Sequence, residues 1–285
     1  MNAPLALCLL DGVQLPLSQA RISPLDRSFL FGDGVYEVIP VYDGRLFRFQ
    51  AHAERLSRSL AALRITDPYS RSHWREQLDQ LVAANGGGDQ YVYLQVSRGH
   101  ELGRNHVPPS GLTPTVFVYC APWPHAAPET FTEGLRCITT ADTRWARCDI
   151  KSVALLANTL LRQQAAEAGA SEAILLRDGK LTEGSASTVH VIVGGQLLTP
   201  PNSHRLLPGT TRGVVIEIAE SLGIAHRSED ISEAQLRSAD EIWLASATRE
   251  VQPVTRLDER PVGTGLPGPL WQRVHARYQL LKRES

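Results

Sequence analysis

The sequence predicts an α+β fold in two domains, and three observations carry that expectation. Strand and helix periodicities are mixed along the 285 residues without regular βαβ alternation. Two Asp-Gly pairs, Asp11-Gly12 and Asp43-Gly44, each separate two short apolar runs and so mark hairpins. A Pro- and Ala-rich stretch without periodicity, residues 122–128, reads as a linker. The expected domains are a smaller N-terminal α/β domain over residues 1–121 and a larger C-terminal domain over residues 129–285.

In the first domain, runs 5–10 and 13–17 flank Asp11-Gly12, and runs 35–42 and 45–49 flank Asp43-Gly44. Ala53, Leu56, Leu60 and Leu63 recur three and four apart, which predicts an amphipathic helix. Residues 70–85 predict a second helix, stopped by Gly86-Gly87-Gly88, and residues 91–97 and 115–120 read as strands. Beyond the linker come a strand at 135–140 and a helix opened by Lys151 that runs to about Gly169. Strands at 172–176 and 188–193 follow, then a helix at 210–222, a strand at 241–245 and a last helix at 270–282.

Composition narrows the function classes. Charged residues make up 21% of the chain, but the formal net charge is only −1, so there is no electrostatic case for nucleic acid or an anionic membrane as partner. No apolar run reaches the length of a membrane span. The apolar stretch 3–10 has no basic flank and runs into Asp11-Gly12, so it reads as a strand and not as a signal peptide, and the cytoplasm is the expected compartment. Cys8, Cys120, Cys137 and Cys148 lack C-x-x-C spacing; reduced structural thiols are expected, and no metal site. The sequence has no G-x-G-x-x-G after a strand, no G-x-x-x-x-G-K-[ST], no H-E-x-x-H and no G-x-S-x-G. Dinucleotide, nucleoside triphosphate, zinc-protease and serine-hydrolase chemistry lose their usual support.

Lysine is scarce: Lys151, Lys180 and Lys282 stand against a chain whose other cations are arginines. Lys180 lies in the turn Arg177-Asp178-Gly179-Lys180 and Lys282 in the C-terminal tail. Lys151 closes a short polar segment ahead of an apolar helix, a place where partial burial would turn its amine into a nucleophile able to form a Schiff base. The alternative is a preference for Arg over Lys that left one lysine by chance.

Three further segments suit an anionic, ring-bearing ligand. Leu207-Pro208-Gly209-Thr210-Thr211-Arg212 puts two hydroxyls beside the free N–H groups of a helix start, a seat for phosphate or ordinary N-capping. Ser246-Ala247-Thr248 follows a strand and can add donors to the same anion. Thr182-Glu183-Gly184-Ser185 places one carboxylate in a tight segment before a strand, either to hold a protonated ring nitrogen or as a solvated turn glutamate.

Taken in order, these segments resemble the fold-type IV pyridoxal 5′-phosphate enzymes, the class IV aminotransferase family, and within it the D-amino acid aminotransferases. The resemblance spreads over nearly the whole chain. It is carried by Phe31-Gly32-Asp33-Gly34-Val35-Tyr36-Glu37-Val38, His52-Ala53-Glu54-Arg55-Leu56, and Arg98 with Arg104-Asn105-His106. Cys148-Asp149-Ile150-Lys151-Ser152, Thr182-Glu183-Gly184-Ser185 and Gly209-Thr210-Thr211-Arg212 complete it.

What the resemblance implies can be written residue by residue. Lys151 would bond the cofactor and shuttle the proton, with the cofactor site between the two domains. Glu183 would keep the pyridine nitrogen protonated, and Leu207 would pack near the ring and support that contact. Arg55, Thr210, Thr211, Ala247 and Thr248 would bind the phosphate, and Tyr36 would line the site. Arg104 and His106, reaching in from the partner subunit of a homodimer, would clamp the substrate α-carboxylate. The implied reaction is ping-pong transamination, from D-alanine and 2-oxoglutarate to pyruvate and D-glutamate. An L-branched-chain aminotransferase and 4-amino-4-deoxychorismate lyase are the alternatives on the same fold. Two positions depart from the family pattern: Ala247 stands where a threonine is usual, and Thr188 where an asparagine is frequent. His100 has no role in the pattern and reads as a loop residue.

Overall fold

Both Asp-Gly pairs turn hairpins. β1 (Leu7–Leu10) pairs with β2 (Val13–Pro16), and after the short helix α1 (Arg27–Phe31), β3 (Gly34–Tyr42) pairs with β4 (Arg45–Leu46). The computed structural model describes residues 3–284, so the expected domain ends at residues 1, 2 and 285 lie outside the described residues. Two units divide the chain. The first runs to Pro124 and also takes in Ile150–Leu155; the second holds His125–Asp149 and Leu156–Glu284.

The first unit continues with α2 (Phe49–Leu63), α3 (Arg71–Ala84), β5 (Gln90–Ser97) and β6 (Thr115–Pro122). Its strands form one antiparallel sheet in the order β2-β1-β6-β5-β3-β4. The predicted stripe is the buried face of α2: Ala53, Leu56 and Leu60 pack in one core with Val35, Ile39 and Val41 of β3 and Leu78 and Leu81 of α3. Each such leucine contributes about 1.5–3 kcal/mol by leaving water. Ser70 caps α3 by accepting the His73 N–H at 3.2 Å. Val35, Glu37, Ile39 and Val41, at every second position of β3, share one face and are all buried, so one carboxylate stands in an otherwise apolar row facing α2.

The second unit contains α4 (Glu129–Thr132), β7 (Leu135–Ala141), α5 (Leu156–Glu167), β8 (Glu172–Arg177) and β9 (Lys180–Gly184). β10 (Thr188–Val193), β11 (Gln196–Thr199), α6 (Thr210–Ser221), β12 (His226–Ser228) and α7 (Glu233–Arg237) follow. β13 (Glu241–Ser246), β14 (Glu250–Leu257), β15 (Arg260–Pro261) and α8 (Pro269–Glu284) close the chain. Its mixed sheet runs β12-β11-β10-β13-β14-β7-β8-β9, with β15 added on β14. Among the described residues no helix is long and apolar enough to cross a membrane.

The α+β class holds, two expectations are corrected, and one long strand is unanticipated. Lys151 does not open a helix. α5 begins at Leu156, because the backbone around Lys151 bonds to the start of β3 instead: Tyr36 N–H donates to the Lys151 carbonyl at 3.0 Å and Val153 N–H to the Gly34 carbonyl at 3.0 Å. Glu183 is not in a turn but in β9, which pairs with β8. β14 has no counterpart in the predicted elements, since seven of its eight residues are buried and no alternation marks it.

Candidate active site

In the first unit the lysine is held by backbone bonds and by the strand it meets. Ser152 bridges Val35, and the Ser59 hydroxyl accepts the Lys151 N–H at 3.2 Å. The half-buried Lys151 amine lies 3.9 Å from the centroid of the Tyr36 ring, a cation–π contact. Gly32, at a φ of 68°, lets this segment approach: a Cβ there would stand 3.0 Å from the Ala154 Cβ.

His52 and Arg55, three apart on α2, meet the lone carboxylate of β3. Arg55 donates to Glu37 from Nε at 2.7 Å and from Nη2 at 2.7 Å, and His52 Nδ1 lies 2.7 Å from Glu37 Oε2. All three side chains are buried. Burial pushes the Glu37 pKa up, but the Arg55 charge and the bonds from Arg55 and His52 outweigh it and hold the carboxyl well below the usual range. Burial also lowers His52 despite the carboxylate beside it. Arg55, expected at a phosphate, thus has its guanidinium plane fixed by Glu37.

Arg104 and His106 lie in the exposed loop after β5 and share one platform. The Arg104 guanidinium lies over the Phe31 ring at 4.9 Å, and the His106 ring sits 5.4 Å from it. Leu102, 97% exposed, and Val107, 73% exposed, accompany them. His100 makes an isolated bridge with Asp26.

In the second unit Glu183 is buried and fastened from two sides. Leu207 N–H donates to both carboxylate oxygens, at 3.2 and 3.1 Å, and Arg144 Nη1 bonds Oε1. Leu207 therefore serves Glu183 through its backbone. Arg144 is itself pinned by Asp142, Nε to Oδ1 at 2.9 Å and Nη2 to Oδ2 at 2.9 Å, and Thr182 donates to that same Asp142. Burial pushes Glu183 up to about 7, against the pull of Arg144 and of the Leu207 N–H. Burial prevails because the Arg144 charge is shared with Asp142. Arg144 and Asp142 carry no motif of their own; Asp142-Thr143-Arg144 reads in sequence as a loop.

The loop after Glu183 is held by a second buried acid. Glu172, fully buried, accepts from the Ser185 hydroxyl and from Ser187 Oγ at 3.1 Å, and Asn158 donates to the Ser185 carbonyl at 2.7 Å.

α6 begins at the Thr210-Thr211 pair expected to meet a phosphate. Its N-cap is Gly209, with no side-chain cap bond, so Thr210 and Thr211 do not cap it and the ordinary capping alternative falls. Thr188, the unexplained departure, has its Oγ1 where a Cβ on Gly209 would come within 2.6 Å. Ala247 and Thr248 occupy the turn between β13 and β14, closed by Arg249 N–H to the Ser246 carbonyl at 3.2 Å.

The first unit offers a lysine amine on an aromatic ring; the second, taken by itself, offers a carboxylate fixed by backbone and arginine and an uncapped helix start, groups whose chemistry suits a phosphorylated pyridine aldehyde. Comparison with known proteins agrees. The amino-transferase class IV family matches residues 34–257, and the chain belongs to that family. It is 40% identical over 272 residues to a D-alanine aminotransferase of Bacillus licheniformis, covering 95% of each chain. Against the D-alanine aminotransferase of Listeria monocytogenes serotype 1/2a (strain 10403S) it is 41% identical over 262 residues, covering 90% of this chain and 89% of that protein. Among solved structures, the branched-chain amino acid aminotransferase of Escherichia coli superposes with a TM-score of 0.90 at 25% identity, over 97% of this chain and 94% of that one.

The protein is thus a pyridoxal 5′-phosphate-dependent aminotransferase of fold type IV. The side chains fit that cofactor. A buried carboxylate whose proton affinity is raised can meet a cationic ring nitrogen, and free N–H groups at a helix start can meet a phosphate.

Proposed function

We propose that this enzyme transfers the amino group of D-amino acids, D-alanine foremost, to 2-oxoglutarate in two half-reactions. Products are pyruvate and D-glutamate. The observation that carries the handedness is the pairing of Arg104 and His106 on the Phe31 ring, which sets a guanidinium and an imidazole side by side where they can take a carboxylate. The relatives named as D-alanine aminotransferases support the same substrate. Likeness to a branched-chain enzyme in fold does not decide handedness, which resides in this loop.

Bound pyridoxal 5′-phosphate supplies an aldehyde that condenses with amines and a ring that draws electrons from the substrate Cα. With the cofactor bound, Lys151 would be the base that takes the substrate Cα proton and gives it back. Glu183 would hold the proton on the ring nitrogen, and Leu207 N–H with Arg144 keeps its carboxylate in place. Thr210 and Thr211 hold the phosphate with Ala247 and Thr248 of the neighbouring turn; Ala247 offers its N–H alone. Arg55 adds positive charge there, and Tyr36 lines the substrate side of Lys151.

Arg104 and His106 serve the site of a partner subunit, so the active form is a homodimer and acts in the cytoplasm. Leu102 and Val107, exposed beside them, suit burial in that assembly. The test is a half-reaction assay with D-alanine, L-leucine and 4-amino-4-deoxychorismate side by side, following the cofactor absorbance. D-Alanine alone should convert it; conversion by L-leucine alone overturns the proposal.

A further inference from the structure

Arg27 is 3% exposed, although it is an arginine on a five-residue helix. Its backbone is set by the body of the first unit: Arg27 N–H donates to the Gly99 carbonyl at 2.9 Å, and Asp26 before it caps α1 and accepts from Ser97 Oγ at 2.8 Å. Its side chain reaches outward. Nε donates to Asp33 at 2.9 Å, and Nη1 bonds Glu101. Nη1 also donates to the Asn105 carbonyl at 2.7 Å, and Nη2 to the His106 carbonyl at 3.2 Å. The guanidinium lies 4.6 Å over Phe31, the ring that also carries Arg104.

Apart from the local bond of Val107 N–H to Asn105 Oδ1 at 3.1 Å, the hydrogen bonds that reach Glu101 to His106, among the described residues, come from Arg27. The loop has no strand partner of its own. Asp33, at the other end of Arg27, is held by both oxygens on Arg98, Nε to Oδ2 at 2.7 Å and Nη2 to Oδ1 at 2.9 Å. Arg98 in turn donates to the Leu63 carbonyl at 2.8 Å and the Arg64 carbonyl at 3.1 Å, at the end of α2. A relay of ion pairs therefore runs from the core helix to the loop.

We propose that Arg27 is the positioning residue of the substrate-carboxylate loop, fixing through the Asn105 and His106 carbonyls where Arg104 and His106 stand. This rests on the reading of Arg104 and His106 as the carboxylate clamp. The planar fork matters as well as the charge, because separate N–H groups meet an acid on one side and two carbonyls on the other. The α-carboxylate is bound alike in ground and transition states, so a misplaced clamp should appear in KM and not in kcat.

The test uses the cofactor-loaded enzyme and D-alanine as amino donor, with Arg27→Met, Arg27→Lys, Arg104→Ala and the double variant Arg27→Met/Arg104→Ala. Arg27→Met should raise KM about 10- to 100-fold, the order expected for losing one charge-assisted hydrogen bond to the carboxylate. Arg27→Lys, which keeps the charge but not the fork, should remain nearly as impaired. The double variant should have the KM of Arg104→Ala alone, since Arg27 acts through that residue. Multiplication of the two single effects, or full rescue by lysine, overturns the proposal. An unchanged KM in Arg104→Ala sinks the clamp itself, and the positioning role with it. Should Arg27→Met fail to fold, Glu101→Gln replaces it, with a several-fold rise in KM that must vanish on the Arg104→Ala background.

Discussion

Tyr36 and Lys151 hold each other twice: the Tyr36 N–H donates to the Lys151 carbonyl at 3.0 Å, and the Lys151 amine rests 3.9 Å over the Tyr36 ring. The backbone bond fixes where the lysine starts, and the ring fixes where it ends. Such preorganisation suits the proton transfer between two carbons proposed for this lysine. Borohydride treatment of the loaded enzyme should therefore fix the cofactor to the peptide containing Lys151. Lys180 and Lys282 are engaged with Asp230 and with Glu250, so a label on either would refute the assignment. Lys151→Ala should cost about 10²- to 10⁴-fold in kcat, measured in single turnover.

Glu183 makes the cofactor-free protein sensitive to pH. Its pKa is raised from 4.5 to about 7 by burial, so the native state keeps a proton that the unfolded chain has released. Stability from this group is whole below pH 4.5 and is lost as pH rises towards 7, by about 3 kcal/mol. Urea unfolding of the cofactor-free protein across that range should show the decline. Glu183→Gln should flatten it, and a decline that survives the substitution would place its cause elsewhere.

The cluster of Glu37, His52 and Arg55 should behave in the opposite sense. Glu37 is held low, so its contribution is present above pH 4.5 and fades as acid protonates it. Glu37→Gln leaves the Arg55 cation buried against a neutral amide and should destabilise by about 3–5 kcal/mol. Thermal unfolding checks this; a loss under about 1 kcal/mol would mean that the pair is solvent-screened.

Gly209 meets Thr188 too closely for any side chain. Gly209→Ala should weaken cofactor retention, since its Cβ would press within 2.6 Å of Thr188 Oγ1 and displace the helix start. Thr188→Ala in the same protein should restore much of the loss. Equilibrium dialysis of the cofactor reads both, and failure of the rescue would mean that Gly209 is needed for another reason.

Much of this was legible in the chain because it obeys local rules. Ala53, Leu56 and Leu60 announce α2 by spacing, and Asp11-Gly12 and Asp43-Gly44 announce their hairpins. The opening of α5 was misplaced because Lys151 and Ser152 spend their backbone on a distant strand, which no local propensity records. β14 was missed for a related reason: with both faces covered, it carries no period, and it includes Pro253. Arg144 and Arg27 were not singled out, since an arginine in a loop looks solvated until its partners are seen. The spacing of His52 and Arg55 was the one sequence signal of the buried cluster, and it needed Glu37 from another element to mean anything.

The return of Ile150–Leu155 to the first unit has a consequence for how such a gene can be rearranged. A piece ending at Pro124 would lack both Lys151 and the partner of β3 at Val35, leaving that margin unsealed. Neither unit is an unbroken stretch of codons. Recombination that exchanges one contiguous half for a homologous one therefore transplants the lysine without the strand that aims it, and only crossovers that carry residues 34–36 and 150–155 from the same parent keep the two matched.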